Sequence, residues 1–310
     1  MKGSFVVKMG KVHFVSICHC DRVEWGESAY SYDDMESAIR MINEMIAKVE
    51  DECGVRIPMT YLPCFFHGKK GYSVAGEKAD LFRELLKMGN EIGVHTHVSY
   101  DNLPTQDEFI VPDADTLENL GFPRPKTWVA GDFYTTPNTI RQLETGGYAV
   151  DGSVVPLEGK FYHGSRRQFE IDYSKCKTLS PYRPSYEDIS LPGNSPIVEL
   201  PVTAYLPELC YRDQYFPLTK QKPEERLLSK WHGRERTGVD VFHIFWHPQD
   251  LWRPHDAWYP QEAGKPKKID HKLLESFESL LCMAAELEDV AFSTAYEAAK
   301  DWTKSDLNPH

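Results

Sequence analysis

EIGVHTHVS, residues 91–99, contains a short strand, 91–95, that runs straight into histidines at 95 and 97. A strand that ends in ligand-type side chains points to a parallel α/β fold, because chemistry in such folds collects where strands end. Working outward from it, further strands are expected over 12–20, 55–62, 125–130, 148–154, 197–203, 239–246 and 290–293, all rich in Val, Ile, Phe or Trp. Helices are expected between them, over 33–53, 77–88, 105–120, 136–145, 223–231, 271–286 and 294–303. The first is the clearest. Met35, Ala38, Ile39, Ile42, Ile46 and Val49 recur at the helical period, Asp33 stands as an N-cap, and Gly54 follows the end. Pro137 suits the first turn of its helix.

Strand and helix alternate from start to finish, which means parallel strands joined by crossover helices. Seven or eight such units predict an incomplete or distorted (β/α) barrel over a barrel-free open sheet. One domain covering 1–310 is expected, with insertions at about 156–196 and 205–238. The first of these is too long for an ordinary connection and reads as a functional or lid-like insertion.

The 310 residues include 47 acidic and 35 basic ones, for a net charge of −12. That balance excludes a general nucleic-acid surface, which relies on a positive field. Mean hydropathy is −0.49, and no apolar run approaches a membrane span or a signal-peptide core, so a cytoplasmic protein is expected. Seven cysteines at 18, 20, 53, 64, 176, 210 and 282 form no CxxC pair, which disfavours a disulfide framework or a zinc ribbon. Aromatic residues reach 12 %, with seven Trp, sixteen Tyr and fifteen Phe.

Polar residues cluster at the expected strand ends. The first strand ends in His19, Cys20 and Asp21, with Glu24 beyond. The third supplies His95 and His97. WVAGD, residues 128–132, ends the next, and FWHPQDL, residues 245–251, brings His247 and Asp250. A carboxylate with two neutral imidazoles is a divalent-metal ligand set that leaves positions for water and substrate. Asp250, three residues from His247, could orient it as a carboxylate–histidine pair.

The order of these motifs resembles the polysaccharide deacetylase superfamily, the chitooligosaccharide-deacetylase homology domain of carbohydrate esterase family four. The resemblance runs from about 12 to 300. It rests on Asp21, on EIGVHTHVS, on VAG at 129–131 and on GGYAVDGSV at 146–154. VELPVT at 198–203, WHPQDL at 246–251 and the closing FSTAYEAA at 292–299 complete it. Three positions depart from the family pattern. Cys20 stands where the first Asp of an acidic pair acts as base, Ser99 where a second metal histidine is usual, and Val129 where an arginine is usual.

The resemblance implies a divalent ion, zinc by ligand type, held by Asp21, His95 and, in place of Ser99, His97. It implies a metal-dependent deacetylase acting on an acetyl group, N-linked before O-linked, of a saccharide. Glu24 or Asp21 would take the proton of water, His247 would protonate the leaving amine, and a backbone amide near Asp132 would hold the oxyanion. Trp25, Tyr134 and Trp252, with Trp128, Trp246, Trp258 and Tyr259 at the same strand ends, would stack on sugar in an aromatic-lined groove, and Gly131 would approach the substrate with bare backbone. Arg166 and Arg167, and less directly Arg234 and Arg236, would meet the phosphate of a nucleotide- or lipid-linked precursor of surface polysaccharide. The alternatives are a cyclic-amide hydrolase on the same scaffold and an inactive saccharide-binding protein. No oligomeric state follows from the sequence.

Overall fold

Lys11–Cys20 (β1) is buried along almost its whole length because the curled sheet uses both of its faces. Val15 and Ile17 join an inner cluster with Leu62, Val129, Val150, Val198 and Val241. The alternate residues Phe14, Cys18 and Cys20 join the outer layer of helices. The pleat's period of two separates these sets. The computed structural model describes residues 10–21, 31–68, 71–156, 161–163, 169–211, 221–253 and 268–306.

The other strands of the main sheet are β2 (Thr60–His67), β3 (Val94–Val98), β4 (Thr127–Ala130), β5 (Val150–Asp151), β6 (Val198–Glu199), β7 (Ala204–Tyr205), β8 (Val239–Trp246) and β9 (Val290–Phe292). These are parallel, in the order β6-β5-β4-β3-β2-β1-β8-β7, with β9 beside the start of β1; two short pieces, Glu91–Ile92 parallel and Tyr72–Ser73 antiparallel, also pair with β2. The helices are α1 (Tyr32–Cys53), α2 (Ala79–Lys87), α3 (Ile110–Asn119), α4 (Thr139–Gly146), α5 (Pro223–Thr237), α6 (His271–Glu286) and α7 (Ala295–Asp306). The two ends of the sheet are joined by one stretch of chain. Leu200 and Val202 donate backbone bonds to Asp151 and Val154 on one side, and Thr203 donates to His243 on the other. The result is the distorted (β/α) barrel expected from the alternation.

Several boundaries differ from expectation. Helix α1 is capped by Ser31, not Asp33: the Ser31 hydroxyl accepts from Asp34 N, and the Asp34 carboxylate accepts from Ser31 N. A serine with an acid three residues on satisfies two backbone donors, which a lone Asp33 cannot. Gly54 closes the helix at φ 65°. The second strand is Thr60–His67 rather than 55–62, because Glu50 and Asn90 side chains bind the amides of Ile57 and Met59 and hold this approach outside the ladder. Residues 100–109 form a 3-10 turn ahead of α3, and a short hairpin (161–163 with 169–171) lies in the first insertion.

Helix α7 closes the N-terminal end of the barrel. Ala295, Ala298 and Ala299 enter the inner cluster, and the amides of Ala295 and Tyr296 donate to Thr60 Oγ1 and Glu91 Oε2. Glu91 also accepts from Thr127 Oγ1 at 2.6 Å, so the first residue of EIGVHTHVS fastens the barrel floor. Gly93 lets β2 and β4 close around this strand: a Cβ there would lie 2.4 Å from Leu62 Cδ2 and from the Thr127 carbonyl. The C-terminal ends of the strands, opposite this plug, carry the polar cluster. Among the described residues, no helix is long and apolar enough to cross a membrane.

Candidate active site

Asp21 follows the last residue of β1, and His95 and His97 sit at alternate positions of β3, so the pleat turns both imidazoles to the side of Asp21. Asp21, His95 and His97 each offer a ligand atom within 4.8 Å of one another. His95 Nε2 lies 3.4 Å from Asp21 Oδ1, and His97 Nε2 lies 3.8 Å from Asp21 Oδ2. The Val129 carbonyl can only accept, so the 2.9 Å contact to His95 Nδ1 places the proton on Nδ1 and leaves the Nε2 lone pair facing Asp21. This is the carbonyl-backed imidazole of metal centres. Asp21 Oδ1 is buried yet accepts no well-formed hydrogen bond. Donor types, tautomer and the orphaned oxygen together fit a divalent cation. Thr96, between the two histidines, points outward and is held by Asp113 at 2.7 Å and Trp128 Nε1 at 2.9 Å.

His247, just beyond β8, faces the same centre. Its Nε2 is 3.6 Å from Asp21 Oδ2 and its Nδ1 3.5 Å from Asp250 Oδ2. Asp250 is itself fixed by the Tyr205 hydroxyl at 2.7 Å and the His247 amide at 2.7 Å. Burial would lower the His247 imidazolium, but Asp250, Asp21 and Asp132 outweigh it and hold His247 above the ordinary histidine range. Burial alone would raise the Asp21 carboxyl. Positive charge on His95, His97 and His247 when they are protonated outweighs burial, so in the absence of a metal Asp21 stays well below the usual carboxylate range.

The turn after β4 supplies a second carboxylate. Asp132 and Phe133 both have left-handed backbones, at φ 53° and 54°, which side chains rarely adopt. Asp132 Oδ2 stands 3.6 Å from His97 Nδ1. Burial, and then repulsion from Asp21, push its carboxyl up to about 7. Gly131 is required here, but its close neighbour is the His97 ring. A Cβ would fall 2.5 Å from His97 Cγ and 2.6 Å from Nδ1.

Of the expected site residues, the structure brings Asp21, His95, His97, His247, Asp250, Gly131 and Asp132 together. Tyr134 is half-buried and packs its edge on Phe169 at 5.8 Å. Trp252 is half-buried beside the Pro248–Leu251 turn. Glu24, Trp25, Arg166 and Arg167 lie outside the described residues, as do Trp258 and Tyr259 of the expected groove. Trp128 and Trp246 are fully buried in the outer layer rather than groove-lining. Cys20 faces that layer too, its sulfur 3.5 Å from Cys18, so this position presents no acid or base to the centre. Ser99 instead accepts from Asn102 Nδ2 at 2.8 Å.

His19 is the residue that sequence reasoning left without a role. It is buried, tilted over His95 at 4.5 Å, stacked on Phe245 at 5.3 Å and edge-on to His247 at 5.1 Å. Burial, then His95 and His247, keep it neutral. Its signal was the alternation His13-Val15-Ile17-His19, which puts it on the inner face.

No family model matches the sequence, and no curated protein matches it. Solved structures share its fold. A candidate polysaccharide deacetylase from Mycobacterium smegmatis aligns over 97 % of this chain and 93 % of its own, at 15 % identity and a TM-score of 0.53. Puue allantoinase aligns over 97 % and 92 %, at 16 % identity and a TM-score of 0.55. A probable polysaccharide deacetylase from Pseudomonas aeruginosa PAO1 aligns over 95 % and 92 %, at 14 % identity and a TM-score of 0.53.

Proposed function

We propose that this chain, which has the fold of polysaccharide deacetylases, is a metal-dependent hydrolase that removes an N-linked acetyl group from a saccharide. The observation that supports this best is the convergence of Asp21, His95 and His97 at the strand ends, with the His247–Asp250 pair facing them. A divalent ion there, zinc by ligand type, supplies polarisation of the acyl carbonyl and a more acidic water. His95 is held in register by Val129, and His97 by Gly131 and Asp132.

Proton transfer falls to two groups. Asp132, with its carboxyl near neutrality and its place beside His97, is suited to accept the proton of the attacking water. Asp21 is poorly suited to that task, because the imidazoles favour its anion. Glu24 is the other candidate. His247, whose imidazolium Asp250 favours against burial, is suited to donate to the leaving amine. A backbone amide of the 131–134 turn would receive the developing oxyanion. The substrate read from the sequence is a cytoplasmic saccharide precursor, its linked phosphate meeting Arg166 and Arg167.

The likeness to Puue allantoinase keeps a second reading, opening of a cyclic amide by the same carbonyl chemistry. One experiment separates them. Purified protein is assayed for bound zinc, for acetate release from N-acetylated nucleotide sugars, and for ring opening of allantoin, each with and without a chelator. Chelator-sensitive acetate release supports the deacetylase. Allantoin opening without acetate release replaces it with the second reading. Protein that binds no zinc and turns over neither substrate sinks both and leaves a saccharide-binding role.

A further inference from the structure

The turn Gly131–Tyr134 places two consecutive residues with side chains at positive φ. Such a backbone is strained for a residue with a side chain and persists only where its surroundings over-determine it. Two side chains distant in sequence do so here. Gln106, fully buried in the 100–109 turn, donates from Nε2 to the carbonyls of Gly131 at 3.2 Å and Tyr134 at 3.1 Å. Tyr173, from the 156–196 insertion, donates its buried hydroxyl to the Phe133 carbonyl at 2.6 Å and accepts from Thr135 Oγ1, 2.9 Å away. Asp107, next to Gln106, fastens this support to the start of α4 by accepting from Thr136 and Thr139 hydroxyls. Three of the turn's carbonyls, those of Gly131, Phe133 and Tyr134, are thereby tied.

We propose that Gln106 and Tyr173 are positioning residues for the metal centre. They act through the 131–134 turn, which presses Gly131 against the His97 ring and holds Asp132 Oδ2 at 3.6 Å from His97 Nδ1. Tyr173, in the first insertion, is on this view a brace for a ligand. The proposal rests on the metal-centre reading above and goes beyond it by giving a role to two residues outside the ligand set.

The test measures Zn²⁺ affinity by competition with a chromophoric chelator and the visible spectrum of the Co²⁺-loaded protein, which reports ligand geometry. The variants are Tyr173→Phe, which removes one hydroxyl and keeps the ring, and Gln106→Glu, which keeps the shape and sets an acceptor against two carbonyls. Losses of about 10-fold for Tyr173→Phe and about 100-fold for Gln106→Glu are expected, with an altered cobalt spectrum. Should Gln106→Glu fail to fold, Tyr173→Phe decides alone. Wild-type affinity and spectrum in Tyr173→Phe, even with a lowered melting temperature, overturn the proposal and leave a structural brace. Wild-type protein that binds neither ion overturns the metal-centre reading itself.

Discussion

Two buried carboxyl sites, Asp151 with Glu199 and Asp21 among histidines, lie at the C-terminal ends of this barrel, and they ionise in opposite ways. Asp151 on β5 pairs in register with Glu199 on β6, both fully buried. Their neighbours are Ser153 and the Val154 amide, with no cation among the groups that shift them. Burial pushes Asp151 up to about 6 and raises Glu199 well above the ordinary carboxylate range, so the pair keeps a proton where isolated acids would not. Asp21 is buried too, but three imidazoles surround it and favour its anion. The same residue type at similar burial becomes a shared-proton strut in one place and a cation ligand in the other. Imidazoles decide which.

Disrupting the imidazole-lined site should have the largest effect. Asp21→Asn or His95→Ala is expected to weaken zinc binding by more than about 100-fold and to abolish turnover, read by metal analysis and acetate release. Glu199→Gln should leave zinc stoichiometry unchanged. If it too loses metal, the two sites are not distinct. Next is Asp132→Asn, expected to slow acetate release by about 100-fold or more. A base must be ionised to accept a proton, so wild-type rate should rise with pH through the Asp132 titration. That limb should vanish in the variant, and a retained limb would move the base to Glu24.

Gly131→Ala, by driving a methyl into the His97 ring, should weaken zinc about 10- to 100-fold in a protein that still folds, as isothermal titration would show. The smallest effect belongs to the other site. Asp151 binds its proton more tightly folded than unfolded, so stability should fall as pH rises from about 4 to about 6 and not recover above. The drop from Asp151 is of order 3 kcal/mol, and Asp151→Asn should remove that share of it in thermal melts across pH 4–8. Asp21 runs the other way: its contribution holds above about 4 and fades as acid protonates it.

Much of this barrel is written in periodicity. β1, β8 and α1 were legible because long alternating or helical patterns survive whatever packs on them. Asp21, His95, His97 and His247 were legible as polar residues at strand ends. The second strand was not, because 55–62 is apolar enough for a strand while Asn90 and Glu50 capture its amides. The 131–134 turn was not, because a left-handed aspartate is dictated by Gln106 and Tyr173, whose distance in the chain leaves no local trace. Trp128 and Trp246 were read toward the groove because composition does not say which face of a strand a ring takes.

The central position of β1 bears on folding. Its partners are residues 60–63 on one side and 239–246 and 290–292 for the rest. β1, with Asp21 at its tip, therefore finds most of its ladder far along the chain. Pairing at such separation must meet a large loop-closure entropy before the ladder rewards it, which slows folding. Until β8 is in place, one edge of an apolar strand goes without its partner.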